Sequence, residues 1–216
     1  MSGATLSLDD VRIALAGRDL VGPLSLTVAP GECVTVMGPS GAGKSTLLAF
    51  VAGTLAPAFS ATGRVQLGAR DVTHAPPQAR RTGILFQDDL LFPHLTVGGN
   101  LAFALPAAIR DRDERRARIA AALAEADLAG YEARDPATLS GGQRARVALM
   151  RTLLAQPEAL LLDEPFGKLD AALRDGMRRF VLDHAHERGL PVLLVTHDPS
   201  DAQAAGGRVL SLAALR

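Results

Sequence analysis

The chain has 216 residues, with 23 basic and 23 acidic side chains, 48% hydrophobic residues and only 4% aromatic residues. Its length fits one domain with an ample core, and its zero formal charge gives no general attraction to nucleic acid or to an anionic bilayer. The single cysteine excludes an internal disulfide framework, and no apolar run approaches the roughly 18 residues that cross a bilayer. The N-terminal residues lack the pattern of a secretory signal, so we expect an intracellular globular protein.

Short strands and helices are predicted in chain order from apolar runs, caps and turn residues. The predicted strands are Thr5–Leu8, Val11–Leu15, Leu24–Val28, Cys33–Met37, Ala159–Leu162, Pro191–Thr196 and Val209–Leu212. The predicted helices are Lys44–Ala52, Thr96–Phe103, Asp111–Ala126, Gly142–Ala155, Asp170–Arg188 and Ser200–Ala205. Strands that alternate with helices predict an α/β sheet core, and the purely helical middle indicates an inserted subdomain.

Residues 38–45 match the phosphate-binding pattern G-x-x-x-x-G-K-[ST], between an apolar strand and a helix. The glycines let successive backbone N–H groups face one anion, and the helix start adds its own N–H groups and dipole. Lys44 supplies a cation for the β- and γ-phosphates, and the Ser45 hydroxyl is a ligand for Mg²⁺. The residues predicted to hold the nucleotide here are Gly38, Pro39, Ser40, Gly41, Ala42, Gly43, Lys44, Ser45 and Thr46. A glycine-rich turn that merely caps a helix is the alternative.

Two acids, Asp163 and Glu164, end the apolar strand that begins at Ala159. A strand buried on both faces has little reason to end in charge unless a cation lies nearby. Beside a phosphate loop, Asp163 is expected to join the Mg²⁺ shell and Glu164 to polarise an attacking water. The alternative is that both acids cap the next helix. His197 ends the following strand in the same way, where it can hydrogen-bond a γ-phosphate, although a lone histidine is more often structural.

A second anion site is predicted at Ser140–Gln143, far beyond the phosphate loop in sequence and just before a helix. Ser140 offers a hydroxyl, and Gly141 and Gly142 expose backbone N–H groups at the helix N-terminus. Two phosphate-binding surfaces so far apart in one chain suggest a nucleotide held between two molecules.

With these motifs in order, the sequence resembles the ATP-binding cassette (ABC) family over essentially its whole length. The matching segments are the Walker A loop 38–45, the Q-loop glutamine Gln87, the signature Leu139–Gln143, the Walker B strand Leu160–Asp163 followed by Glu164, the D-loop 167–170 and the switch histidine His197. The resemblance implies an α/β P-loop NTPase core sheet with N-terminal antiparallel β segments and an inserted α-helical subdomain. We expect one nucleotide-binding domain over 1–216, with a RecA-like core at roughly 1–87 and 157–216 and the helical subdomain at roughly 88–156.

The resemblance also implies a head-to-tail dimer with two ATP molecules between the chains. Each ATP would touch the Walker A loop of one copy and Ser140–Gln143 of the other, so its γ-phosphate favours the closed state and hydrolysis reopens the dimer. The implied catalytic residues are Glu164, His197 and Gln87, the metal ligands are Ser45, Gln87 and Asp163, and Asp170 joins the nucleotide contacts.

Two positions depart from the family pattern. An aromatic residue that stacks on adenine usually precedes the Walker A loop, and Leu15 occupies the matching position here. An aliphatic side chain packs on a base without the π contribution, so weaker ATP binding is expected. The D-loop usually begins with serine, and Gly167 stands there instead. This glycine is expected to loosen the communication between the two ATP sites.

The absence of a membrane span implies a separate membrane permease as partner. Apolar residues in 88–95, after Gln87, are consistent with a docking groove for it, and ordinary packing is the alternative. The chain ends soon after His197, so no C-terminal regulatory domain is expected. The sequence resembles bacterial importer ATPases for small cargo, in particular the short thiamine-type and YnjD-like subgroup. This implies an extracytoplasmic solute-binding protein in the same system, and a cytoplasmic location on the inner face of the cell membrane.

Two other functions stay open at this stage. One is a soluble ABC protein that acts on nucleic acid or the ribosome, which the neutral charge and the single cassette disfavour. No nucleic-acid partner is therefore expected. The other is the ATPase of a lipid or lipoprotein exporter, which composition does not separate from an importer.

Overall fold

The computed structural model describes residues 3–212, apart from the side chains of residues 171 and 172. Residues 1–2 and 213–216, which the single-domain prediction includes, lie outside the described residues. The strands are β1 Leu6–Leu15, β2 Arg18–Val28, β3 Cys33–Met37, β4 Phe59–Leu67, β5 Arg70–Asp71, β6 Thr82–Leu85, β7 Ala159–Asp163, β8 Val192–Thr196 and β9 Val209–Ser211. The helices are α1 Lys44–Ala52, α2 Pro77–Arg80, α3 Val97–Ala104, α4 Arg112–Glu125, α5 Gly141–Leu154, α6 Ala171–Glu187 and α7 Pro199–Ala205, with a 3₁₀ turn at Pro136–Thr138.

The described strands form two sheets. One is antiparallel, in the order β2-β1-β4-β5, and the other is parallel, in the order β6-β7-β8-β3-β9. In the parallel sheet β8 lies between β7 and β3, with Asp163 opposite Val195 and Met37 opposite Thr196. The carboxyl ends of these three strands therefore meet at one edge, where ligands bind in open α/β sheets.

The parallel sheet is buried on both faces, as continuous Leu and Val runs predict. Alternate residues of β7 enter different cores: Leu160 and Leu162 pack against the helices, whereas Leu161 packs toward α1 and the antiparallel sheet. All three leucines are fully buried, and replacing one by alanine typically costs about 2–5 kcal/mol. This packing holds the strand ends rigidly, which fixes the residues that follow them.

The helical middle of the chain is defined by its caps. Thr96, Asp111 and Ser140 each accept a backbone N–H at the starts of α3, α4 and α5, and Ser140 forms a capping box with Gln143. Among the described residues, 88–156 contain helices and turns, and the strands lie on either side. Within 3–212 no helix has both the length and the apolar character needed to span a bilayer.

The N-terminal sheet shows where the strand predictions are wrong. The predicted strands Thr5–Leu8 and Val11–Leu15 are one strand, β1, which is continuous through a bulge where Asp10 has a φ of 45°. Strand β4 was missed because its first six residues, FSATGR, are mostly exposed and carry little apolar signal. The α/β class is confirmed, as are β3, β7 and β8 within one residue at either end.

Candidate nucleotide site

The phosphate loop lies between β3 and α1, as predicted. Gly43 precedes α1 with a φ of 85°, and Gly41 has a φ of 81°, which is the left-handed region that favours glycine. A side chain at Gly38 would bring its Cβ within 2.7 Å of the Leu212 carbonyl oxygen. Glycine is thus required at 38 for close backbone approach and at 41 and 43 for the turn, which leaves the loop backbone free to surround a phosphate.

Lys44 is a cation held inside this loop. The residue is only 6% exposed, and its Nζ donates to the carbonyl oxygens of Gly38 at 2.9 Å and Pro39 at 3.0 Å. The same nitrogen lies 3.7 Å from Glu164 Oε1. A buried ammonium needs such oxygen partners, and an anion entering the loop would meet a positioned positive charge.

Ser45 and Asp163 come together across the phosphate loop and β7. The Ser45 hydroxyl donates to Asp163 Oδ1 at 2.8 Å. Burial raises the pKa of Asp163, while the bond from Ser45 and the charge of Lys44 act in the opposite direction. Both side chains open onto a cleft of about 410 Å³ that Gln87 and Glu164 also line. Hydroxyl, carboxylate and amide oxygens are the hard ligands that Mg²⁺ prefers, so this donor set fits the ion.

Glu164 and His197 meet at the same edge of the sheet. His197 Nδ1 lies 3.0 Å from Glu164 Oε2, across the ends of β7 and β8. Glu164 has a φ of 47°, a conformation that is strained for any residue but glycine and recurs at functional sites. The alternative helix-capping role for the strand-end acids is wrong, because Asp170 caps α6 through the Leu173 N–H.

Gln87 lies against the D-loop as well as the cleft. A Cβ added at Gly167 would come within 2.9 Å of Gln87 Nε2, so the glycine makes room for the amide. The next residues of the two segments, Asp88 and Lys168, form an ion pair. The Q-loop and the D-loop are therefore in direct contact, and the small residue at 167 accommodates the amide.

The signature segment Ser140–Gln143 lies elsewhere. Ser140, Gly142 and Gln143 line a second open groove of about 410 Å³, which they share with Leu173 and Met177 of α6. No residue that lines this groove also lines the cleft at Ser45 and Asp163. One copy of the described chain thus carries both predicted phosphate-binding surfaces without bringing them together.

Two remaining candidates lie at the margins of the site. Leu15 ends β1 and is 42% exposed, while β2 reaches the phosphate loop, where Leu20 and Val21 surround the position of a Cβ at Gly43. Asp170 lies at the start of α6, where its carboxylate accepts the Leu173 N–H. Phe103 was not predicted as a functional residue. It is 70% exposed and packs edge-on against Phe92, with 4.8 Å between the ring centroids. Its only signal was an aromatic residue at the end of a predicted helix.

Comparison with known proteins decides the family. The family model described as ABC transporter matches residues 21–167, which is more than half of the chain. The chain belongs to the ABC transporter family. As an ABC ATP-binding subunit it is an ATPase, which confirms the resemblance recognised from the ordered motifs.

Several curated ABC proteins are similar over nearly all of this chain. The uncharacterized ABC transporter ATP-binding protein YnjD of Escherichia coli is 49% identical over 92% of this chain and 91% of its own length. The thiamine import ATP-binding protein ThiQ of Chelativorans is 42% identical over 96% of this chain and 83% of its own. The sn-glycerol-3-phosphate import ATP-binding protein UgpC of Paracoccus denitrificans is 42% identical over 96% of this chain but 58% of its own.

Proposed function

We propose that this chain powers the import of a small solute through a separate membrane permease, by closing a head-to-tail dimer around two ATP molecules. The observation that carries the proposal is the separation of the two phosphate-binding surfaces. Ser45, Asp163 and Glu164 line one cleft, while Ser140 and Gln143 line another. A second copy related by a twofold axis would supply the missing surface to each cleft, because in such an isologous pair each contact from one copy to the other is made twice.

In the proposed reaction a water molecule attacks the γ-phosphorus, and ADP leaves with the electron pair of the bond that breaks. Glu164 accepts the proton of that water, and the hydrogen bond from His197 orients its carboxylate. Lys44 and the backbone N–H groups of the phosphate loop stabilise the charge on the phosphate oxygens. Mg²⁺ held by Ser45, Asp163 and Gln87 supplies further charge neutralisation when it is bound.

We also propose that the protein divides into a RecA-like core, at roughly 1–87 and 157–216, and a helical subdomain at roughly 88–156 that receives the permease. Leu90, Phe92 and Phe103 form an apolar docking surface on the helical part. Leu90 is 56% and Phe103 70% exposed, although apolar side chains of this size are normally buried. The side-chain amide of the buried Asn100 accepts the Phe92 N–H and donates to the Phe92 carbonyl oxygen, which fixes the backbone there.

The docking surface is connected to the cleft through the segment after Gln87. Arg151 of α5 donates to the Leu90 carbonyl at 2.8 Å and to that of Asp89 at 3.1 Å, and Arg144 pairs with Asp89. A movement of the docking surface is thereby transmitted to the residues beside Gln87. The proposed location is the cytoplasmic face of the cell membrane, and a solute-binding protein outside it completes the system. The similarity to ThiQ and UgpC, both named as import proteins, supports import.

The test is purification of the tagged protein from detergent-solubilised native membranes, with Phe103→Glu as the variant. Val209→Glu is the matched control, because Val209 is 52% exposed on the edge strand β9. We expect a polytopic permease to accompany the native protein and the control but not Phe103→Glu, while ATP hydrolysis by the unassembled variant is unchanged. Recovery of ribosomes or DNA instead would contradict the proposal. Recovery of a permease that belongs to a lipid or lipoprotein exporter would overturn the import direction.

A further inference from the structure

One arginine connects the end of the D-loop to the residue after the switch histidine. Arg174, on the first turn of α6, donates through Nη2 to the Leu169 carbonyl at 3.0 Å. Its Nη1 donates to Asp198 Oδ2 at 3.0 Å. The two segments are separated in sequence by all of α6 and all of β8, and this guanidinium joins them directly. Arg174 and Asp198 thus form an ion pair, and their side chains are 27% and 30% exposed.

The residue before the switch histidine is fixed to the same helix. The Thr196 hydroxyl donates to Asp201 Oδ2 at 2.7 Å and accepts the Asp198 N–H at 3.0 Å. Arg178, one turn beyond Arg174, donates through Nε to Asp201 Oδ1 at 2.7 Å. Thr196, Arg178 and Asp201 are all at least nine-tenths buried. Both neighbours of His197 are therefore attached to one face of α6.

The ion pair between Arg174 and Asp198 persists at neutral pH. The bonds from the Ser200 hydroxyl and backbone N–H, followed by the charges of Arg178 and Arg174, hold the pKa of Asp198 below its ordinary value. His197 itself is 64% exposed in its side chain and touches Glu164 at the edge of the cleft. Because most of its side chain is exposed, the backbone segments on either side help to decide where its ring lies.

We infer that Arg174 is a positioning residue that sets the place of His197 relative to the D-loop. The inference rests on the proposed function, because the dimer brings the D-loop of one copy to the nucleotide of the other. A displacement of Leu169 then moves the guanidinium, and with it Asp198 and the adjacent histidine. Arg174 would thereby couple the state of one ATP site to the geometry of the other without touching nucleotide.

The test compares steady-state ATP hydrolysis of the full chain with that of Arg174→Gln, Arg174→Lys and Asp198→Asn. Asn at 198 retains an oxygen for the N–H of Ser200 and loses the charge. Arg179→Gln is the matched control, since Arg179 lies exposed on the same helix. We expect Arg174→Gln to lower kcat about tenfold, with KM for ATP within about twofold of the native value. Its melting temperature should stay within about 2 °C of the native one.

The lysine ammonium is a single point charge, whereas the arginine guanidinium donates to two acceptors at once. Arg174→Lys should therefore have an intermediate kcat. Both changes remove the ion pair between residues 174 and 198, and Asp198→Asn also removes the charge that faces Arg178 at 3.7 Å. The double variant should therefore be no more than about twofold slower than the slower of the two single variants. The inference is overturned if Arg174→Gln behaves like Arg179→Gln, if its kcat falls only together with its melting temperature, or if the two losses add. A native protein that does not hydrolyse ATP overturns the proposed function itself, before any variant is compared.

Discussion

The two proposed phosphate-binding surfaces of this protein differ in how complete they are within one chain. At the end of the parallel sheet, Ser45 is hydrogen-bonded to Asp163, and Glu164 contacts both Lys44 and His197. At the start of α5, Ser140 and Gln143 satisfy each other in a capping box, in a groove lined by different residues. The first surface has the cation and the carboxylates that the chemistry needs. The second has backbone and hydroxyl donors at the helix start, and the charged groups that line its groove, Asp127 and Arg146, are paired with each other.

This difference indicates that the two surfaces have different roles toward a phosphate. A surface that contains charge and acid groups binds and cleaves a phosphate, whereas a capped helix N-terminus stabilises a phosphate presented to it. The second surface is therefore suited to sense the γ-phosphate of an ATP molecule that another copy holds. Changes to each surface should therefore separate hydrolysis from dimer closure.

Removal of the carboxylate of Glu164 should have the largest effect. Glu164→Gln leaves the shape and takes away the proton acceptor, so we expect kcat to fall by about 10²–10⁴-fold while ATP is still bound. The trapped ATP should hold two copies together, which light scattering after size exclusion detects as a doubled mass. Glu187→Gln, an exposed change on α6, is the control and should hydrolyse normally. A Glu164→Gln protein that stays monomeric with ATP would contradict the proposed role.

A charge at the second surface should prevent closure without affecting the first. A Cβ at Gly141 would meet only Arg144 Nη2, at 3.9 Å, and an acidic group at a helix N-terminus is compatible with the fold. Gly141→Asp should repel phosphate and lower hydrolysis by about 100-fold, since a like-charge contact costs several kcal/mol. Binding of ATP to the monomer, measured by calorimetry, should be unchanged. Gly141→Ala adds the Cβ without charge, and equal losses in both variants would refute the electrostatic explanation.

An aromatic ring at Leu15 should tighten nucleotide binding at the first surface. The Leu15 side chain is 42% exposed at the end of β1, so a larger ring has room. A stacking contact is worth about 0.5–1.5 kcal/mol, so Leu15→Tyr should lower the Kd for ATP by about 2–10-fold. Calorimetry with ATP and with tripolyphosphate separates the base from the phosphates. A gain for both ligands, or for neither, would show that Leu15 does not face adenine.

The substitution Gly167→Ser should have the smallest effect on hydrolysis. Its Cβ would approach Gln87 Nε2 to 2.9 Å, which a flexible amide relieves by moving away. Because Gln87 lines the cleft, we expect kcat to fall about threefold with no change in the Kd for ATP. The double variant with Gln87→Ala removes the collision, so serine should then make no further difference. An additive loss in that variant would mean that the contact is irrelevant to hydrolysis.

The sequence predicts the first surface better than the second. Residues 38–45 and Asp163 follow apolar strands directly, so the sheet alone brings them together. Its order of strands, and hence the contact of Glu164 with His197, depends on long-range pairing that local patterns do not contain. The left-handed backbone at Glu164 and the bridge from Arg174 to Leu169 and Asp198 also have no local signal. Strand β4 was not predicted because it forms through pairing with β1, and its own residues have little apolar pattern.

The most direct test of a shared ATP site mixes two differently tagged variants. Lys44→Ala damages the first surface and keeps the second, and Gly141→Asp does the reverse. Neither variant should form a homodimer. A dimer of the two variants, however, has one ATP site in which both surfaces are intact. With ATP and Mg²⁺, purification through one tag should retain the other variant, and without ATP it should not. A mixture that pairs no better than either variant alone would contradict a shared ATP site.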